Sequence, residues 1–416
     1  MQNLKDWKNP IILLFSIGMS SVGDFIYLVA VNIIVYQLTG SAVAVAGLWI
    51  VSPLTNIVTK FWTGSFIDYR SKRKVMITTY IIRALFICLI PLAPNMIVIY
   101  GILVVLSIAK AFFNPSSMTY ATMLVLKEKR KRFNSLRSFA SSGAFIIGPS
   151  IGGSLILLTS VQMTLLINAL FFLVSAILLT LLPEKEQIDK ESIPPLTISQ
   201  VVRDFTVVQK FMMNNKYVSF IYLGFIIVMI FSFAMDAQEV VFTQQVIGLS
   251  EMEYSLLISI TGIGSVMGAI LLSLFSNYFS LRYMIIIGIM MAATGYVIYA
   301  FSWSFASIVV GFIILGFFLV FLNAGMTTFY QNNVPVDVMG RVTSIYQLIQ
   351  SAVQVVFILV IGFIADFISL RITIVTLAIV MLGSAFIFSF SVLKFDRKLY
   401  YEEDRSNHNA LSGKTY

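Results

Sequence analysis

Apolar stretches dominate this chain, and they run longer than a soluble core needs. Residues 11–37 hold one charged side chain, Asp24, and residues 372–393 hold none. About 20 such residues cross the hydrocarbon of a bilayer as a helix. In lipid each backbone N–H and C=O must find its partner within the protein, which leaves helices and closed barrels as the spanning structures. Twelve segments qualify: 11–37, 42–66, 75–93, 96–126, 135–158, 163–182, 217–242, 254–275, 284–301, 304–331, 343–368 and 372–393. The expectation is an all-α membrane protein of about 12 transmembrane helices. Composition agrees, since 11% of residues are charged against about 25% in a soluble domain. A soluble enzyme, a disordered chain and a collagen-like fibre are excluded.

The net charge of +9 reflects where the basic residues stand. Lys72, Arg73 and Lys74 fill one loop, Lys127 to Arg132 another, and Lys394, Arg397 and Lys398 follow the last span. The intervening loops carry almost none. This alternation fits the positive-inside rule. It predicts a multi-pass protein of the cell membrane with both termini cytoplasmic and no nucleic-acid partner. There is one cysteine, Cys88, and one histidine, His408, so no disulfide framework or Cys/His metal site is expected. No metal or cofactor is anticipated. The first apolar run is too long for the core of a cleavable leader, so residues 11–37 are read as the first span.

A polar stretch, Pro183 to Lys216, divides the spans six and six. The expected organisation is an N-terminal six-helix bundle (1–183), a cytoplasmic linker (184–216) with an amphipathic piece near 198–213, a C-terminal bundle (217–394) and a poorly ordered tail (395–416). The halves echo one another: Asn114 with Asn323, Arg132 with Arg341, Ser135 with Ser344 and Gly153 with Gly362 fall at one offset. Such a repeat predicts pseudo-two-fold symmetry about an axis along the membrane normal, as in secondary transporters.

The loop after the second span reads Gly64-Ser-Phe-Ile-Asp68-Tyr-Arg70-Ser-Lys72-Arg73-Lys74. A glycine permits close helix approach, an acid ends the span and a basic cluster stays in water. The stretch resembles the loop 2–3 signature of the major facilitator superfamily, G-x-x-x-D-R-x-x-R-K. Gly64, Asp68, Lys72 and Arg73 match; Tyr69 stands where the family has arginine, with Arg70 beside it as a substitute. The resemblance implies that Asp68 caps a helix of the other half and latches one gating state. In the fifth span, Gly148-Pro149-Ser-Ile-Gly152-Gly153 resembles the family's exporter motif, where small residues let helices pack closely. Ser21-Val-Gly-Asp24, Phe112-Phe-Asn-Pro115, the run from Ile167 to Ser175 and Val334-Pro335 with Gly340-Arg341 are similar to the macrolide-efflux-like drug/proton antiporter branch.

Charges inside spans carry the functional expectation, because an ionisable group in hydrocarbon is costly. Asp24, in mid-span 1, is the candidate for proton coupling or cation recognition. Lys110, Asn114 and Asn323 are candidate polar groups of a cavity between the halves, with Lys110 placed to pair with Asp24. Asp236 and Glu239, toward the outer end of span 7, are either an outer gate or a solvated face. Arg83 is expected to brace helices or snorkel, since the family's third span is peripheral, and Lys60 to snorkel. The resulting expectation is a secondary transporter working as a monomer, with no enzymatic activity. It exports a drug-like or amphipathic small molecule in exchange for protons by alternating access. A metabolite or siderophore carrier and a non-transporting receptor or scaffold are the alternatives.

Overall fold

A computed structural model describes residues 2–39, 42–186, 197–276 and 278–402, and all regular structure among them is helical. The first half comprises α1 (Gln2–Thr39), α2 (Ala42–Asp68), α3 (Lys72–Leu89), α4 (Met96–Leu124), α5 (Arg130–Leu158) and α6 (Val161–Thr180). After α7 (Ile198–Asn214) come α8 (Lys216–Ala237), the single turn α9 (Glu239–Val241), α10 (Glu251–Phe275), α11 (Leu281–Phe301), α12 (Phe305–Asn333), α13 (Val336–Phe367) and α14 (Leu370–Leu393). Among the described residues, ten helices are long and apolar enough to cross a membrane. The second and eleventh expected spans correspond to α2 and α13, of 27 and 32 residues.

Local sequence sets the helix starts. Ser71, Asn95, Ser160, Ser280 and Ser304 each accept a backbone N–H of the first turn. Ser250 and Glu253 form a reciprocal capping box at α10, satisfying donors the helix cannot pair internally. Several helices outrun their apolar stretches. α5 includes the basic residues from Arg130 onward, and α13 begins at Val336, because helix geometry continues past the lipid boundary.

Two large apolar clusters form. One is built from residues of α1, α3, α4, α5 and α6, the other mainly from α8 and α10 to α14. α1 packs on α5 and α6, and α11 on α12 and α14. α10 lies against α12 so tightly that a Cβ on Gly264 would sit 2.9 Å from the Ile313 carbonyl oxygen. Small residues serve here because lipid offers helices no hydrophobic drive to associate.

The amphipathic piece forms α7, burying Asp204, Val208 and Phe211. The linker's middle, 187–196, lies outside the described residues, as do 403–416 with His408. The start of the tail departs from the expectation of poor order. Residues Phe395–Tyr401 form a 3-10 helix, and Tyr401 is buried, sharing a 2.8 Å hydrogen bond with Tyr217 and packing on Phe329. Its aromatic residues cover apolar surface that a polar tail would leave open.

Candidate functional site

Asp24 stands midway along α1, in the wall of a cavity of about 610 Å³. Its carboxylate pairs with Arg83 of α3 and, at 3.3 Å, with Nζ of Lys110 on α4. Asn114 and Arg137 line the same cavity, which is walled by α1 to α5. Asn323 is not in that wall. α12, which carries it, is engaged with α10, α11 and α5, and contributes no lining residue. Asn114 and Asn323 do stand at matching positions in two 29-residue helices; the echo reflects helix placement, and the cavity is one-sided.

Arg83 takes the bracing role of its two expected ones, and it also lines the cavity. Its side chain is only 6% exposed, so it does not snorkel. The guanidinium lies 4.1 Å over the Phe172 ring of α6 and bonds to Asp24. A stacked, fork-shaped cation of this kind holds a carboxylate in a fixed orientation. Tyr80, one turn earlier on α3, shares a 2.7 Å hydrogen bond with Ser20 on α1, locking the two helices beside the ion pair. Lys110 is 48% exposed, so its ammonium remains open to the cavity.

The exporter-like motif positions α1. A Cβ on Gly148 would lie 2.5 Å from Cβ of Phe25, and one on Gly152 would lie 3.3 Å from Cα of Ile26. Both glycines therefore let α5 approach α1 next to Asp24. Gly153 has open space where its side chain would be, so close packing explains only part of the motif. Pro149 lies within an uninterrupted α5.

A second polar cluster lies at the basic-loop end. Asp68 accepts the backbone N–H of Gly340 at 2.8 Å and of Arg341 at 3.0 Å, and pairs with Nε of Arg341 at 2.8 Å. Its side chain is 1% exposed. Arg341 also pairs with Asp204 of α7 at 3.0 Å and donates to the Tyr69 hydroxyl at 3.1 Å. Tyr69, which replaces the family arginine, is thus part of the cluster. Arg70 does not take that place: it turns back over the Phe66 ring at 4.0 Å and donates to the Phe66 carbonyl. Lys72 pairs with Glu186 at 2.7 Å, and Arg73 donates to Leu179 and Thr180 carbonyls at the end of α6, where a cation is favoured. Hydrogen bonds from Ser71 and Lys74 hold the Glu184 carboxyl below the usual carboxylate range.

More bonds close the same end. Asn134 donates to Thr328 and Gln331, Arg130 to the Gln331 carbonyl and Asn332, and Lys131 to the Phe279 carbonyl. Thr63 and Ser344 share a 2.9 Å hydrogen bond. Lys60 is buried and bonds to Gln347 of α13; it links helices and does not snorkel. These contacts join α2 and α5 to α12, α13 and the segment between α10 and α11, so this end is shut.

Gly64 makes the α2–α13 approach possible. A Cβ there would lie 2.7 Å from Cα of Arg341, main chain that cannot swing aside. Gly64→Ala should open this end by about 1–3 kcal/mol of overpacking. The check is oxidative cross-linking of Thr63→Cys to Ser344→Cys in a Cys88→Ser background. An about tenfold slower reaction is expected on adding Gly64→Ala; an unchanged rate contradicts the close fit.

At the opposite end, Tyr296 donates to Asp236 at 2.8 Å and Tyr254 donates to Glu239 at 3.1 Å. The α8 helix stops at Ala237, short of the expected span end, and the chain turns through α9 there. Both acids therefore sit at a helix end, held by tyrosines from α11 and α10.

These features define a polytopic helical membrane protein with an ion-paired internal cavity, and comparison with known proteins gives its family. The family model described as "Major Facilitator Superfamily" matches residues 13–357. The chain belongs to the major facilitator superfamily. Among curated relatives, the uncharacterized MFS-type transporter YfiS of Bacillus subtilis is 27% identical over 191 residues, 46% of each chain. The putative bacilysin exporter BacE of Bacillus amyloliquefaciens is 28% identical, covering 42% of this chain and 44% of BacE. The multidrug efflux pump Tap of Mycolicibacterium fortuitum is 29% identical, covering 38% and 40% respectively. The matches thus span less than half the length of these relatives. Among solved structures, the human organic anion transporter MFSD10 (TETRAN) superposes with a TM-score of 0.75 at 11% identity, over 93% of this chain and 99% of that one. An outward-facing bacterial homologue of the iron transporter ferroportin gives 0.72 at 14%, over 94% and 99%. At these identities the likeness is one of fold.

Proposed function

We propose that this chain is a secondary active exporter that moves an amphipathic small molecule by alternating access, with Asp24 as its proton-responsive residue. The observation that carries the reading is the Asp24 carboxylate in the cavity wall, held by Arg83 and Lys110. Protonating Asp24 removes the charge that joins α1 to α3 and α4. A proton shifts a conformational equilibrium only through different affinity for the two states, and ion pairs that rearrange between states supply such a difference. The names of BacE and Tap favour export.

In this reading residues 1–183 and 217–394 are two six-helix bundles in a plasma membrane, joined by the linker 184–216, and one copy suffices for transport. The basic loops, both termini and the tail 395–416 face the cytoplasm. The Asp68–Arg341 cluster is then a latch on the cytoplasmic side, and Asp236 and Glu239 lie toward the outside. The stretches similar to the macrolide-efflux-like branch favour a drug-like cargo.

The test is accumulation of fluorescein, rhodamine 123 and erythromycin in cells expressing the protein, with and without a protonophore. Exclusion of at least one compound, abolished by the protonophore, is expected. Exclusion that persists without a proton gradient would contradict the proton-responsive role.

A further inference from the structure

The cavity's charge is unbalanced. Among its lining residues Asp24 is the only acid, whereas Arg83, Lys110 and Arg137 are all basic. Three cations against one carboxylate leave two positive charges. Asp24 is already shared by two of the cations. Arg137, on α5, forms no ion pair among the described residues. Nε of Arg83 is buried without a hydrogen-bond partner, and the Lys110 side chain is half exposed. An uncompensated cation in a low-dielectric cavity is costly, and an anion that pairs with it recovers part of that cost.

Resting on the transporter reading above, we propose that the cavity selects an organic anion, a carboxylate-bearing amphipath whose acid group docks between Lys110 and Arg137. The rest of the wall suits its body. Phe25, Leu28, Val31, Leu106 and Phe113 offer apolar surface, and about 610 Å³ falls within the 300–1,000 Å³ of drug-sized sites. Two charge-assisted hydrogen bonds fix the acid end, and shape tolerance governs the apolar end. Export of an anion from a negative cytoplasm is also aided by the membrane potential.

Two xanthene dyes of similar frame test the charge preference: fluorescein, an anionic carboxylate, and rhodamine 123, a cationic methyl ester. Binding is read by fluorescence anisotropy with the protein in nanodiscs. Fluorescein should bind at least about tenfold more tightly than rhodamine 123. Arg137→Gln should cost about tenfold in fluorescein affinity while leaving rhodamine 123 unchanged or better bound. Lys110→Gln, at a half-exposed position, should act in the same direction. Asp24→Asn should raise fluorescein affinity, because it removes the competing carboxylate. Preference for rhodamine 123, equal loss of both dyes in Arg137→Gln, or binding of neither dye by folded protein would overturn the proposal. The exporter reading fails separately. Anion-selective binding without energy-dependent flux would sink export alone, and protonophore-sensitive exclusion of rhodamine 123 in preference to fluorescein would sink only the anion assignment.

Discussion

Replacing Asp68 with alanine is expected to spring open the basic-loop end. Asp68 is buried, and its two oxygens serve three donors: the Gly340 and Arg341 backbone N–H groups and the Arg341 guanidinium. Asp68→Ala leaves Arg341 in a nearly buried position with half its carboxylate support. Removing one partner of a buried pair costs about 3–5 kcal/mol. The low end applies here, because Asp204 still pairs with Arg341. About 3 kcal/mol shifts the ratio of open to closed forms about a hundredfold. The buried carboxylate and its donors exist together only when α2 and α13 meet, so the penalty falls on the closed form. Spin labels on Glu128→Cys and Asp337→Cys, in a Cys88→Ser background, report the opening as a distance distribution. Both positions are exposed, one in each half of the chain. The variant should lengthen the dominant distance. A distribution matching that of the wild-type background would mean that the other cross-links, such as Asn134 with Gln331, carry closure without Asp68.

Much of the architecture was legible because the membrane dictates it. Apolar length located the spans. The amphipathic run at 198–213 became α7 because a helix lying outside lipid needs one polar face. Asp24 stood out by cost alone. The same physics hid the partners. Arg83 was read as bracing or snorkelling from the family's peripheral third span, and a helix that is apolar all round carries no periodic signal for which face meets which neighbour. Lys60 looked like a snorkelling lysine for the same reason. Asp204 sits in a linker rich in charge, where nothing in sequence separates a buried acid from a solvated one. Arg341 was visible as part of a stretch similar to the family, but its pairing with Asp68 spans 273 residues of sequence and depends on the approach that Gly64 and Gly340 permit. Asn323 is outside the lining of the α1–α5 cavity. Its match with Asn114 holds in helix position and in exposure, yet a repeat in sequence does not place both residues in one cavity.

Two clusters emerge, one in the cavity where Asp24 meets Arg83 and Lys110, and one at the closed end where Asp68 and Asp204 share Arg341. α2 connects them, lining the cavity with Val51 and Ser52 and ending at Asp68. A change in the Asp24 ion pairs that moves α1 against α3 and α4 therefore acts on helices packed against α2, and α4 also touches α13 directly. In the proposed cycle, that arrangement would carry protonation of Asp24 to the Asp68–Arg341 cluster.

The most direct measurement of the central claim is transport by Asp24→Asn in reconstituted vesicles. Asparagine keeps the shape of the side chain and its place beside Arg83, but it neither ionises nor binds a proton at physiological pH. The compound is the one that cells exclude most strongly among fluorescein, rhodamine 123 and erythromycin. With an imposed proton gradient the wild-type protein should accumulate it against its concentration gradient. Asp24→Asn should show no gradient-driven accumulation, while still equilibrating the compound down its own gradient, which demonstrates a folded and moving protein. Wild-type accumulation by Asp24→Asn under the proton gradient would contradict the account and move the coupling to another residue.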